Sequence, residues 1–234
     1  MKIAFIDSRT SLKEKNNLEK LNIKIICCPL SSNLYNAVCG HPDMLIHLID
    51  DTTILVHKDI DKNFINLLTC LGFNVILSKN SLKNEYPNDI ILNAVNLPNL
   101  FMHKLAYTDP QLLNLVKNKK LLNISQGYSK CSTAIVSNSA IMTSDVKIAN
   151  ILNNNNVDVL LLPPGDISLP GLDYGFIGGC CGLIDSNTIA FFGDLHKYKY
   201  EREVLNFLKK HNVKPVFLSN NKLIDRGSLL ITEL

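Results

Sequence analysis

The sequence has no tryptophan and only three arginines among its 24 basic residues. It carries little excess of charge, with a formal net charge of +3 over 234 residues. The lysines are spread along the chain rather than clustered. So weak and dispersed a charge gives no electrostatic footprint for nucleic acid or an anionic membrane, and neither is expected as a partner. No apolar run approaches the roughly 18 residues of a membrane span. The longest, around Ile23–Leu30 and Val157–Leu162, have strand length. The apolar start Met1–Ile6 runs into Asp7, Ser8 and Arg9, too soon for the core of a signal peptide.

What is present is apolar. Hydrophobic residues make up 46% against 19% charged, enough for a sizeable core and too much for a disordered chain. Asparagine is abundant, at 28 residues, a compositional habit that by itself points to no activity. Seven cysteines are present: Cys27, Cys28, Cys39, Cys70, Cys131, Cys180 and Cys181. Their odd number and the adjacent pairs, which do not normally bridge, lead us to expect reduced thiols in a cytoplasmic protein.

One pattern recurs along the chain. A loop of Gly, Pro, Asn, Asp or Ser leads into an apolar strand, a tight turn, a second strand, an amphipathic helix and a further strand. The first copy opens at Gly40–Asp43, with strands at Met44–Leu48 and Thr53–Val56, a helix over Lys62–Leu71 and a strand at Asn74–Leu77. The second opens at Tyr86–Asp89, with strands at Ile90–Val95 and Leu100–His103, a helix over Asp109–Val116 and a strand at Leu121–Ile124. The third opens at Ser129–Ser132 and continues with Ala134–Ser137, Ala140–Thr143, a helix over Val146–Leu152 and Val157–Leu162. The fourth opens at Gly178–Gly182 and continues with Leu183–Ile184, Thr188–Phe192, a helix over Tyr200–Lys210 and Lys214–Leu218. The fifth opens at Asp225–Ser228 with the strand Leu229–Thr232. The N-terminus supplies its remainder, a strand at Lys2–Phe5, a helix over Leu12–Leu21 and a strand at Ile23–Cys28.

Five units of about 47 residues thus account for residues 1–234 as a single α/β domain. An open doubly wound sheet also alternates strands with helices. It explains neither the extra hairpin before each helix nor the complementary chain ends. A closed five-bladed ring explains both and removes the sheet edges.

A ring of five ββαβ units resembles the guanidino-modifying-enzyme fold, or pentein propeller. The likeness covers the full length and is closest to a family of small bacterial proteins with that fold and no established activity. It is carried by Gly40–Asp43, Gln126–Ser132, Tyr174–Gly179 and Asp225–Ser228. In active members such as arginine and agmatine deiminases, the opening loops meet on the ring axis. One brings a Cys nucleophile, one a His-x-Asp and one an acid beside Gly-Gly. The resemblance therefore implies Cys131 as nucleophile, His41 as acid/base, and Asp43 and Asp225 as holders of a small cationic substrate. Lys130, Asp89 and Gly179 lie on the same opening loops and are further substrate-site candidates. Arg226 stands where a Gly is usual. The loop Ile177–Cys181, which should carry another carboxylate, has no acid; Asp173 and Asp185 are the nearest.

The chemistry has a physical basis. Carboxylates keep a guanidinium charged and oriented. A thiolate attacks its carbon, and a His protonates the leaving amine and then deprotonates water. An inward-pointing Lys130 would lower the thiol pKa. Hydrolysis and amidine transfer both stay open.

Two other readings remain. A propeller of this size can serve as a non-catalytic binding module, as the ribosome anti-association factor of the same superfamily does. Alternatively Cys39, His41, Cys131 and Cys180 or Cys181 could hold zinc, although no Cys-x-x-Cys pair is present. Gly175–Gly182 leads into a strand rather than opening a helix, so it is no dinucleotide fingerprint, and no cofactor is expected. His47, His57, His103, His196 and His211 read as structural or exposed.

Overall fold

The computed structural model describes residues 1–234. The chain begins with β1 (Lys2–Asp7), α1 (Leu12–Glu19) and β2 (Lys24–Cys28), followed by a short helical turn α2 (Pro42–Leu45). Next come β3 (Ile46–Leu48), β4 (Thr53–Val56), α3 (Lys62–Cys70) and β5 (Asn74–Leu77). The central part holds β6 (Val95–Asn96), β7 (Leu100–His103), α4 (Pro110–Leu115) and β8 (Lys120–Asn123). It is followed by β9 (Thr133–Ser137), β10 (Ala140–Thr143), α5 (Val146–Asn153) and β11 (Asp158–Leu161). The chain closes with β12 (Cys181–Asp185), β13 (Thr188–Phe191), α6 (Glu201–Lys210), β14 (Lys214–Phe217) and β15 (Leu230–Glu233).

The fold is mixed α/β, with five separate three-stranded sheets. Four of them have the same connectivity: an antiparallel pair, a helix, then a strand added parallel to the second, as in β3-β4-β5 and β6-β7-β8. The fifth joins the chain ends. β15 pairs antiparallel with β1, setting Ile3 opposite Thr232, and β2 adds parallel after α1. One cavity of about 230 Å³ takes residues from the first strand of every sheet, among them Ile46, Asn96, Ile135, Leu183 and Ile231.

Burial explains the strand order. The middle strands β1, β4, β7, β10 and β13 are buried at nearly every position, as their continuous apolar runs require when both faces are covered. The last strands, such as β5 and β11, stay half-exposed. Helix ends are set by short polar side chains. Asp61, Asp109 and Asp145 cap α3, α4 and α5, accepting hydrogen bonds from backbone N–H groups two residues on. Ser11 and Glu14 form a reciprocal capping box on α1. The helix exits use left-handed residues: Asn22, Asn156 and Asn212 lie at φ of 58°, 60° and 57°. Some of the abundant asparagine therefore has a structural use, because Asn tolerates this region better than other side chains.

Two expected strands fall short. Met44–Leu48 was expected as one strand, yet its start winds into α2, with Pro42 at the first helical position. Ile90–Val95 was expected as another, and only Val95–Asn96 is strand. There the backbone turns instead, with Asn93 N donating to Ile90 O at 2.8 Å. In both segments the apolar residues serve burial while the backbone departs from the sheet to aim a polar side chain inward.

Four histidines are buried, His41 in the site described below and three away from it. Nδ1 of His103 lies 2.7 Å from Thr108 Oγ1 and its Nε2 3.1 Å from Gly127 O. His47 Nδ1 meets Leu92 O at 3.1 Å, and neither nitrogen of His57 has a partner. Burial pushes His47 and His57 down to about 4 and His103 to about 3. In the unfolded chain the same rings protonate at about 6.5. Between these values the unfolded state binds more protons, so this contribution to stability is full above pH 6.5 and is lost as pH falls toward 4. His57→Leu sacrifices no hydrogen bond. Its urea-unfolding stability relative to the parent is expected to grow between pH 6.5 and 4, by on the order of 2 kcal/mol. A difference that stays flat across that window would show His57 already protonated in the fold.

Candidate active site

The α2 turn exists because Pro42 pre-sets its first residue and because Asp43 N donates to Gly227 O at 3.2 Å. This aims the Asp43 carboxylate inward. The facing loop at 225–228 approaches closely enough that a Cβ on Gly227, whose φ is +70°, would lie 2.2 Å from the Cβ of His41. Only glycine allows that approach.

Asn93 ties the cysteine loop to α2. Its Oδ1 accepts from the backbone N–H of Lys130 at 2.8 Å and of Cys131 at 3.3 Å. Its Nδ2 faces Asp43 O at 3.2 Å and Cys131 Sγ at 3.1 Å. The Cys131 thiol in turn donates to Asp43 Oδ2 at 3.1 Å. Ser228 Oγ lies 2.6 Å from the same oxygen and accepts from Lys130 Nζ at 2.9 Å. Asp43 Oδ1 is buried without a partner.

His41 stands between two carboxylates. Nδ1 is 3.8 Å from Asp225 Oδ1 and has no hydrogen-bond partner, while Nε2 is 4.0 Å from Asp7 Oδ2. Asp7 is itself taken by Arg9, whose Nη2 and Nε reach it at 2.6 and 2.9 Å. Asp225 is fixed by backbone donors, from Phe176 N and Gly227 N, each at 2.9 Å.

The electrostatics follow from burial. It pushes the Cys131 thiol well up, and the charges of Asp43 and Asp225 push further. Burial also raises Asp43, against the pull of the Lys130 charge and the Ser228 hydrogen bond. Asp225 rises by burial although His41 opposes it. Burial lowers His41, partly offset by Asp225 and Asp7, so the ring is neutral at neutral pH. The resting site therefore holds a neutral thiol and a neutral imidazole. The Lys130 ammonium acts chiefly on Asp43 rather than on the neighbouring thiol, contrary to the sequence expectation.

Two cavities flank this contact. Cys131, His41 and Asp225 line one of about 320 Å³, together with Tyr35, Tyr128, Tyr174 and Phe176. Asp43 and Lys130 line the other, the 230 Å³ cavity shared by the five first strands. Only in the first do thiol and imidazole face the same space. The remaining candidates fall further back. Asp89 is buried, with Oδ2 accepting from Tyr128 OH at 2.5 Å, so it reaches the cavity only through that phenol. Gly179 supports Asp225, since a Cβ there would come within 2.0 Å of Asp225 Oδ1.

Sequence reasoning missed Asn93, whose role has no motif; Asp173, noted there only as an acid near the acid-free loop, lines the cavity from the segment before it. The Cys180 and Cys181 thiols both donate to Ile177 O, at 3.1 and 3.2 Å, and Cys39 to Asn36 O at 3.4 Å. No group of three His, Cys, Asp or Glu side chains is arranged to hold a metal ion.

Residues 5–230 match the family of unknown function DUF6873, and the chain belongs to that family. Among solved structures it is similar to SxtG, an amidinotransferase of the saxitoxin biosynthetic pathway of Microseira wollei. That likeness has a TM-score of 0.58 and 12% identity, over 92% of this chain and 87% of that one. A dimethylarginine dimethylaminohydrolase gives 0.55 and 8%, over 92% and 90%. The agmatine deiminase of C. jejuni gives 0.56 and 10%, over 99% and 92%. These are pentein-fold, guanidino-modifying enzymes, and the chain shares their fold. A curated relative, the lipoprotein-releasing system transmembrane protein LolC of Buchnera aphidicola, is 32% identical over 125 residues. The match takes in 47% of this chain and 31% of that protein, so the chain spans about a third of the relative's length. No helix here is long and apolar enough to cross a membrane.

The charge on Asp43 can be tested for its hold on the thiol. In Asp43→Asn the like charge disappears, and the pH midpoint for alkylation of Cys131 by iodoacetamide is expected to fall by about one unit or more. That is roughly a tenfold gain in rate at pH 8. Mass spectrometry assigns the label to Cys131. Coincident midpoints for variant and parent would show that Asp43 does not hold the thiol neutral.

Proposed function

We propose that the five sheets are the blades of an α/β propeller. The protein is then a Cys-dependent enzyme that cleaves or exchanges a C–N bond of a small guanidino or amidine cation. The reading is carried by one observation: Cys131, His41 and Asp225 face a single cavity, with the thiol hydrogen-bonded to a buried carboxylate at 3.1 Å. The likeness to guanidino-modifying enzymes supports it. The pairing of β15 with β1 and the cavity shared by all five first strands support the ring. All seven cysteines are free, which suits a reducing, cytoplasmic setting.

The electrostatics suggest how such a site fires. Burial holds the thiol up, and Asp43 and Asp225 add to it while the cavity lacks a cation. A guanidinium or amidinium against Asp225 offsets that negative charge, and the thiol becomes easier to ionise only when substrate is in place. The S–H proton passes to the neutral His41, and the sulfur lone pair forms an S–C bond at the amidinium carbon. The C–N bond then breaks as the imidazolium returns its proton to the leaving nitrogen. Water enters, or an amine where the group is transferred. It gives a proton to His41 and forms a bond to carbon. The S–C bond breaks, and the thiolate takes the proton back.

A matched pair of electrophiles tests this. Relative to a small free thiol, 2-chloroacetamidine is expected to label Cys131 at least tenfold faster than 2-chloroacetamide, and Asp225→Asn should remove the preference. Equal rates in the parent protein would overturn the cation-site reading and leave the non-catalytic binding module.

A further inference from the structure

We infer that the substrate carries no carboxylate and enters with an apolar or aromatic arm attached to its amidinium or guanidinium head; this rests on the function proposed above. The first observation is the charge lining the cavity. Its acids are Asp225, buried at the base, and Asp173, exposed at the rim. No lysine or arginine lines it. Of the neighbouring cations, Arg9 is committed and Lys130 faces elsewhere, while Arg226 lies outside the lining but carries its charge to His41. Arg9 spends its guanidinium on Asp7 and on the carbonyls of Asn36 and Ala37, at 2.5 and 3.1 Å. Lys130 faces the other cavity, and Arg226, next to Asp225 in sequence, is not among the lining side chains. A substrate carboxylate would thus meet two like charges and no donor cation, which discriminates against amino-acid substrates by repulsion.

The second observation is the wall. Tyr86, which stands outside the lining, and Tyr128, Phe176 and Tyr174, which belong to it, form a continuous row of rings. Successive centroids lie 5.9, 6.4 and 6.3 Å apart, and the Tyr128 and Phe176 planes are within 28° of each other. Leu169 and Leu172 face the same space. At the mouth, Leu172 and Tyr174 are 49% and 44% exposed, large apolar surfaces that a bound arm would cover. Aromatic faces favour a cation and a hydrocarbon or aryl group over a charged tail.

The experiment compares benzamidine with 4-amidinobenzoate, which adds one carboxylate to the same arm. Binding is read by calorimetry and by protection of Cys131 from 2-chloroacetamidine. Benzamidine is expected to bind at least thirtyfold tighter. Asp173→Asn should narrow that ratio several-fold, and Phe176→Leu should weaken benzamidine while the thermal midpoint stays near the parent's. Equal or tighter binding of 4-amidinobenzoate would overturn the inference and leave the cation site standing. If neither compound protects while 2-chloroacetamidine still labels selectively, the arm is refuted and the head group retained. Loss of that selectivity as well would bring down the function from which the inference starts.

Discussion

A buried carboxylate hydrogen-bonded to a buried thiol sets the terms for the centre of this molecule. Taking Asp43 out of water is costly, and charged groups survive such burial only when paired and hydrogen-bonded. Ser228 supplies one hydrogen bond, Cys131 another, and Lys130 brings a positive charge through the Ser228 hydroxyl. These three partners come from two loops distant in sequence, and Asp43 comes from a third. Its Oδ2 is satisfied only when all three loops are in place, while Oδ1 stays without a partner. Asn93 adds a fourth segment, bonding to both the cysteine loop and α2. A polar network of this kind is stabilising when complete and destabilising when half-made. It therefore constrains how the loops meet more tightly than the apolar packing around it does.

The same constraint explains what could be read from the sequence. Strands β4, β7, β10 and β13 and helices α3 to α6 were legible because their apolar spacing serves burial and nothing else. The pairing of the chain ends was legible from the incomplete unit at each terminus, now seen as β15 against β1. The readings failed at Met44–Leu45 and Ile90–Ala94. Both stretches are apolar and look like strands, yet each carries one polar residue, Asp43 just before the first and Asn93 within the second, that must point into the network. Local preference gave way to the demands of a buried polar site, a departure expected where function is concentrated. Asn93 was invisible for a further reason. An asparagine among 28 in the chain carries no signal, and its importance arises only from the groups it meets.

The two cavities divide the work of charge. Lys130 sits on the side of the inner strands, where its ammonium steadies Asp43. The larger cavity keeps His41, Cys131 and Asp225 with no cation in the lining. A lysine beside the sulfur would hold it as a thiolate at all times, exposed to any electrophile small enough to enter. With the cation screened behind Ser228, the missing positive charge is one that a ligand can bring.

The scarcity of arginine takes on meaning in this light. Arg9 is bound to Asp7 and stands behind His41, where it opposes the pull of that carboxylate on the imidazole. Without Arg9, Asp7 would be an unpaired anion 4.0 Å from Nε2 and would favour the imidazolium. On the proposed reading, a protonated His41 could take no proton from the thiol and would repel an incoming cation. Burial keeps the ring neutral, and Arg9 offsets part of the pull of Asp7 that works against it. One arginine, by its partner and its position, thus moderates the acid–base state that burial sets for the imidazole.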